Sequence, residues 1–208
     1  PQVAYVLVRA KPAEPMLVRY SNDASTASTV APLASALAAS VGPESELGAS
    51  LASLGDLDGN RVHDVAIGAP GMAEGEGRVY VALRNASGVV GPSGWTEVPG
   101  TVLAADTSLA AKLEGGDAFG ASACAVGDLD GDEVWELAVG APGDENNGME
   151  NRGAVYILFL NTNGTVISHQ KISDTAGGFT ATFHGGDNFG SALALSLIHI
   201  SEPTRLRS

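Results

Sequence analysis

The chain repeats itself. The stretch LGASLASLGDLDGNRVHDVAIGAPG at residues 47–71 lies over FGASACAVGDLDGDEVWELAVGAPG at 119–143 without a gap, and 14 of the 25 positions are identical. A third copy opens at FGSALALS, residues 189–196, where Gly190 follows Gly120 by 70 residues. The chain is therefore a tandem array of one supersecondary unit, and so regular a period argues against a β-sandwich.

Within one period the sequence predicts four short strands. The first is 49–55 in one unit and 121–127 in the next, made of small and apolar residues. The second, DVAIGA at 64–69 and ELAVGA at 136–141, is apolar without alternation and so suits burial on both faces. The third, 77–84 and 153–160, is β-branched and aromatic, and QVAYVLVR at 2–9 reads as the same strand of a preceding unit. The fourth is weaker and falls at 96–102 and 165–173. Aromatic residues are only 5% of the chain while glycine numbers 27 of 208, which fits many short strands and tight turns. The expected class is all-β: β-propeller blades of four antiparallel strands, about two of them full, with partial units on either side.

Those blades divide the chain. Residues 1–46 are expected to hold the end of a preceding blade plus an Ala/Ser-rich connection, 22–46, read as a mobile surface segment. Blades follow at 47–118 and 119–188, and 189–196 starts another. From Leu197 the repeat is abandoned, with Ile198, Ile200 and Glu202 where Asp128, Asp130 and Asp132 have their counterparts, so 197–208 is set aside as a non-native tail.

Antiparallel connection sorts the loops by end. The loop after the first strand and the loop after the third share one end; the loops 71–77 and 143–153 face the other. The first of these is acidic. It carries Asp56, Asp58, Asn60 and Asp64 in one unit and Asp128, Asp130, Asp132 and Glu136 in the next. Like charges a few Å apart repel by about 1 kcal/mol per pair even in water, so a positive ion is expected among them. Oxygens at positions 1, 3 and 5 of a curled loop, a backbone carbonyl at 7 and an acid at 9 converge on one hard cation, most naturally Ca2+. The ligands would be Asp56, Asp58, Asn60, the Val62 carbonyl and Asp64, then Asp128, Asp130, Asp132, the Val134 carbonyl and Glu136. No nitrogen or sulfur ligand recurs, which disfavours zinc and copper. No flanking helix and no Glu at position 12 make a helix–loop–helix hand, and affinity is expected on the order of 10⁻⁴ to 10⁻³ M.

Phe119-Gly120 and Phe189-Gly190, the Asp-rich loop, and Gly68-Ala69-Pro70 with Gly140-Ala141-Pro142 together resemble FG-GAP repeats, the blades of the integrin α-subunit β-propeller and its microbial and protist relatives. The resemblance implies a seven-bladed propeller with calcium in several of these loops, secreted or at the cell surface, acting in adhesion or recognition. The first unit departs from the pattern with Leu47 in place of Phe. Both loops depart at position 6, where Arg61 and Glu133 replace the usual glycine.

Charge and composition bound the partners. The formal charge is −13, from 24 acids against 11 bases, which repels phosphate backbones and excludes nucleic acid as an expected partner. No apolar run approaches the ~18 residues of a membrane span. The chain starts at Pro1 with no charged-then-apolar leader, so a signal peptide is expected upstream or not at all. Cys124, the lone cysteine, reads as a small buried hydrophobe. His63, His169, His184 and His199 do not recur between units, so a histidine-centred catalytic or metal site is not expected. Trp95 and Trp135 read as packing residues, and Glu74, Glu76, Asp144, Glu145 and Glu150 as a solvated charged face. Asn85-Ala86-Ser87 and Asn163-Gly164-Thr165 match the N-glycosylation acceptor pattern in exposed turns.

The expected function is an extracellular, calcium-binding, non-catalytic adhesion or recognition module that takes a protein or glycan through the loops at 71–77 and 143–153. The alternative is a propeller accessory to a hydrolase or lyase, of the phospholipase or polysaccharide-degrading kind. An open arc leaves strand edges and blade faces uncovered, so the 208-residue chain by itself is expected to fold poorly or aggregate.

Overall fold

A computed structural model describes residues 3–8, 16–21, 41–84, 90–98, 109, 111–145, 148 and 151–196. Ten strands are present among them: β1 (Val3–Val8), β2 (Met16–Ser21), β3 (Leu51–Gly55), β4 (Asp64–Ala69), β5 (Arg78–Arg84), β6 (Val90–Val98), β7 (Ser122–Gly127), β8 (Glu136–Ala141), β9 (Ala154–Leu160) and β10 (Val166–Ile172). They form two four-stranded sheets, β3-β4-β5-β6 and β7-β8-β9-β10, and a separate pair, β1-β2. Every pairing between these strands is antiparallel. The class is all-β with four-stranded antiparallel blades, as the repeat requires. No helix of the described residues is long and apolar enough to cross a membrane.

β4 and β8 carry the continuous apolar runs, and every residue of both is buried. Alternation decides which neighbour each face meets. From the first sheet, Ala52, Leu54, Ala66, Val79 and Val81 pack with Phe119, Leu137, Val139, Tyr156 and Leu158 of the second unit, so the main core is the seam between the sheets. On its other face Val65, Ile67, Ala69 and Tyr80 pack with Val41 and Leu47. Phe119 is fully buried and meets Tyr156 edge-on, ring centroids 5.7 Å apart. Such burial stabilises by about 2–3 kcal/mol. Leu47, at the equivalent position, does the same against Tyr80 with a smaller side chain.

The repeated glycines set the seam. A Cβ built on Gly68 would stand 2.0 Å from the Gly120 carbonyl oxygen, and one on Gly140 would stand 1.9 Å from that of Gly190. Only glycine permits these approaches. Ser50 Oγ donates to the Gly120 carbonyl at 2.7 Å, and Ser122 Oγ donates to the Gly190 carbonyl at 2.6 Å. The same two glycines turn back on their own sheets: Gly48 N donates to Gly68 O and Gly120 N to Gly140 O. Parallel bridges Gly77–Phe119 and Gly153–Phe189 complete each joint. The FG of one unit is thus seated on the GAP of the unit before it.

Several expectations are corrected. The fourth strand of the first sheet runs Val90–Val98 rather than 96–102, and β2 at Met16–Ser21 pairs with β1 where no strand was expected. The end of the 22–46 connection is not loose: Val41 and Ser45 are buried, and Gly71 N donates to Ser45 O at 3.0 Å. Residues 22–40 and the 197–208 tail lie outside the described residues. Cys124 is half-buried, because it pairs across Ala138 on the face of the second sheet turned away from the first.

Candidate metal centre

Both acidic loops hang from the same corner of their sheets, between β3 and β4 and between β7 and β8. A register shift ends each first strand at a glycine with positive φ, 70° at Gly55 and 83° at Gly127, and the chain leaves the sheet there. The loop then curls by capping its own amides with its acids. Asp56 Oδ2 accepts from Arg61 N at 2.6 Å and Asp128 Oδ2 from Glu133 N at 3.0 Å. Asp58 Oδ1 accepts from Asn60 N at 3.1 Å, and Asp130 Oδ1 from Asp132 N at 3.3 Å. Asn60 and Asp132 turn their Oδ1 to the N–H of Val62 and Val134, 2.8 Å in each case. Arg61 (φ 68°) and Glu133 (φ 72°) adopt the left-handed conformation that glycine takes most readily. The cost is about 1 kcal/mol each.

The curl gathers three carboxylates in each loop. Asp56, Asp58 and Asp64 each offer an oxygen within 4.8 Å of the others, and Asp128, Asp130 and Glu136 do the same. Asp132 is outside that group. Asn60 Nδ2 donates to the Arg84 carbonyl at 2.6 Å, which ties position 5 of the first loop to β5. The Val62 side chain is half-buried, and that of Val134 is buried in the seam.

The acid at position 9 differs from the rest in being inside the protein. Asp64 and Glu136 are fully buried, whereas Asp56, Asp58, Asp128 and Asp130 are exposed. Burial pushes the Asp64 carboxyl above the usual carboxylate range against the pull of the Arg84 and Leu57 amides, and Asp58 and Asp56 push it the same way. Burial likewise raises Glu136, opposed by the Leu129 amide and reinforced by Asp130, Asp132 and Asp128. Asp64 Oδ2 accepts from Leu57 N at 2.9 Å and Oδ1 from Arg84 N at 2.8 Å. Glu136 Oε2 accepts from Leu129 N, while its Oε1 is buried with no hydrogen-bond partner among the described residues. An all-oxygen donor set with an unpartnered buried carboxylate oxygen fits a hard divalent cation.

Two residues beside the loops carry no motif signal. Arg84 is buried, donates from Nη1 to the His63 carbonyl at 2.8 Å, and so fastens the first loop from beneath. A base at the end of an apolar strand is its only mark in the sequence. Trp135 is 44% exposed, yet its ring lies against Gly55, where a Cβ would meet it at 3.4 Å. Trp95 sits in β6 opposite Ala82.

At the opposite end of the two sheets, the acids are not a solvated face throughout. Glu74 and Glu145 are exposed, and Glu76 pairs with Arg78 at 2.7 Å. Asp144 is buried, accepting from Tyr156 Oη at 2.8 Å and Lys171 Nζ at 2.7 Å. Burial and the Asp144 charge hold the Tyr156 hydroxyl far above its ordinary range. Glu150, His199 and the Asn85 acceptor lie outside the described residues. Asn163 is exposed in a turn closed by Gly164 N donating to Asn161 O at 2.8 Å.

Comparison with known proteins agrees with the repeat. Residues 47–82 match the FG-GAP repeat family. The chain is 38% identical over 101 residues to integrin alpha-X of Homo sapiens, which covers 49% of this chain and 8% of that protein. It is 35% identical over 101 residues to integrin alpha-M of Mus musculus (49% of this chain, 8% of that protein) and 35% identical over 124 residues to integrin alpha-PS2 of Drosophila melanogaster (58% and 7%). The chain thus spans less than a tenth of the length of these relatives. It carries an FG-GAP repeat at residues 47–82 and is similar, over about half its own length, to integrin α subunits.

Proposed function

We propose that the chain is an extracellular, calcium-binding β-propeller module of adhesion or recognition, non-catalytic, with residues 47–118 and 119–188 as successive blades. The observation that carries this reading is the pair of carboxylate clusters, three acids each, at the same corner of two successive sheets. Calcium is favoured over magnesium because a flexible loop with several carboxylates suits six to eight oxygen ligands rather than a rigid octahedron. The proposed ligands are Asp56, Asp58, Asn60, the Val62 carbonyl and Asp64 in one loop, and Asp128, Asp130, Asp132, the Val134 carbonyl and Glu136 in the other. Similarity to proteins named integrins supports a cell-surface or secreted location and a protein ligand. A glycan is the other class of ligand the loops at 71–77 and 143–153 would take. Asn163, exposed in its turn, is proposed as a glycan attachment point in a eukaryotic host.

Equilibrium dialysis against millimolar calcium tests the metal reading, with about one ion per loop expected. Absence of binding at that concentration would remove it. Binding to arrayed matrix proteins and glycans, compared with and without a chelator, tests recognition; equal signals in both arms would exclude a calcium-dependent ligand.

A further inference from the structure

We infer that the two loops are unequal: the loop at 128–136 is the stronger cation site and its ion fastens Val134 and Trp135 against the first sheet, whereas the loop at 56–64 is the weaker site. This inference rests on the calcium reading above and adds to it an order of filling and a structural consequence.

Three independent features separate the loops. The first is the buried acid. Both oxygens of Asp64 already accept a backbone N–H, from Leu57 and from Arg84. Glu136 spends only Oε2 in this way, and its Oε1, buried and without a partner among the described residues, belongs to a carboxylate that converges with Asp128 and Asp130. An unpartnered buried oxygen carries a desolvation cost in the free protein that a cation removes. The second is charge. Residues 128–136 hold five acids and no base, while residues 56–64 hold three acids together with Arg61. The buried Arg84 guanidinium also donates to the loop itself, through the His63 carbonyl. Cation affinity in oxygen-ligand loops rises with ligand charge.

The third feature is position. Val134, two residues before Glu136, is buried in the seam cluster with Leu54 of the other sheet and Leu57 of the first loop. Trp135, the next residue, lies on Gly55, the last residue of β3. The segment leading into the buried acid is therefore part of the joint. In the first loop the equivalent residues, Val62 and His63, are half-buried and exposed. Pulling Glu136 onto an ion draws Val134 and Trp135 against the first sheet, whereas the first loop reaches the seam through Leu57, whose N–H donates to Asp64 Oδ2.

The test is calcium titration of the 208-residue chain by calorimetry, with tryptophan fluorescence read in parallel in a Trp95→Phe background, where Trp135 is the one remaining indole. Two classes of site are expected, separated by on the order of tenfold, the net worth of about one charged hydrogen bond. Asp130→Asn should remove the tight class together with the fluorescence change. Asp58→Asn, at the equivalent exposed position, should remove the weak class and leave the fluorescence change that accompanies the tight class. Glu133→Arg, which brings the first loop's charge to an exposed position of the second, should weaken the tight class. Equal classes, loss of the tight class in Asp58→Asn, or a fluorescence change at tight-class calcium concentrations that survives Asp130→Asn would each overturn the inference while leaving calcium binding in place. No binding in the parent at millimolar calcium would overturn both.

Discussion

Adding one methyl group at Gly68 tests the account of the seam. In Gly68→Ala the new Cβ falls 2.0 Å from the Gly120 carbonyl oxygen and 2.3 Å from Ser50 Oγ. A carbon and an oxygen settle at about 3.3 Å or more, so the two sheets must part locally by about 1.3 Å. The obstacle is backbone and cannot rotate away. Overpacking of this kind costs about 1–3 kcal/mol. The displacement also breaks the 2.7 Å Ser50–Gly120 hydrogen bond, for about 1 kcal/mol more. The expected loss is about 2–4 kcal/mol, a large share of the 5–15 kcal/mol that domains typically have. Gly42→Ala is the control, since nothing among the described residues lies within 4 Å of its Cβ and its φ is −59°; it should stay within about 0.5 kcal/mol. Urea unfolding followed by tryptophan fluorescence in millimolar calcium measures both, with the soluble fraction after refolding as a second readout. Ser50→Ala should cost about 1 kcal/mol alone and almost nothing beside Gly68→Ala, because the bond is already lost there. A Gly68→Ala protein as stable as the control, or full additivity with Ser50→Ala, would refute the seam as described.

Phe119→Ala removes a fully buried ring from the seam and should cost about 3–5 kcal/mol, whereas Phe119→Leu, which copies Leu47 of the first unit, should cost about 1 kcal/mol in the same urea assay. Asp117 supplies a pH dependence. Burial, first, and then the Asp144 charge raise its carboxyl to about 6, against the Glu114 amide and Lys171. Between about pH 4 and pH 6 the folded protein holds a proton that the unfolded chain has lost, so stability falls as pH rises through that window, by at most about 3 kcal/mol. Asp117→Asn keeps an acceptor for the Glu114 N–H, 2.9 Å from Asp117 Oδ2, and removes the penalty. Its stability relative to the parent should improve by about 2–3 kcal/mol between pH 4.5 and pH 7.5; an unchanged difference would contradict the buried carboxyl.

The sequence was most legible where one constraint acted alone. β4 and β8 fall at 64–69 and 136–141 as expected, because a six-residue apolar run bounded by turn residues admits little else. β6 begins before the expected 96–102, across Gly91, Pro92 and Gly94, residue types more usual in turns than in strands. It is the outer strand of its sheet, where a proline's missing N–H breaks no ladder. Asp144 read as solvent-facing because it stands in a Gly- and Asn-rich loop. Its partners Tyr156 and Lys171 lie 12 and 27 residues away, and only the fold brings them together. In the acidic loops the repeated spacing marked the carboxylates that converge, but not that Asp132 turns to cap the Val134 amide or that Glu136 leaves an oxygen without a partner. Trp135 was legible as a packing residue, while Gly55 as its platform was not, since that contact crosses from one unit to the next.

The motif itself spans two joints, which explains why its parts recur together. Gly120 donates its N–H to Gly140 in its own sheet and accepts from Ser50 of the sheet before, directly over Gly68; Gly140 in turn sits under Gly190. Gly68, Gly120, Gly140 and Gly190 form a line of backbone-to-backbone contacts through successive units. Along that line the segment entering each unit touches the backbone of the sheet before it, whereas farther along the strands Leu54, Val81, Leu137 and Leu158 fill the space between the two sheets. A side chain at Gly68 or Gly140 therefore acts on the joint between units rather than on either sheet alone.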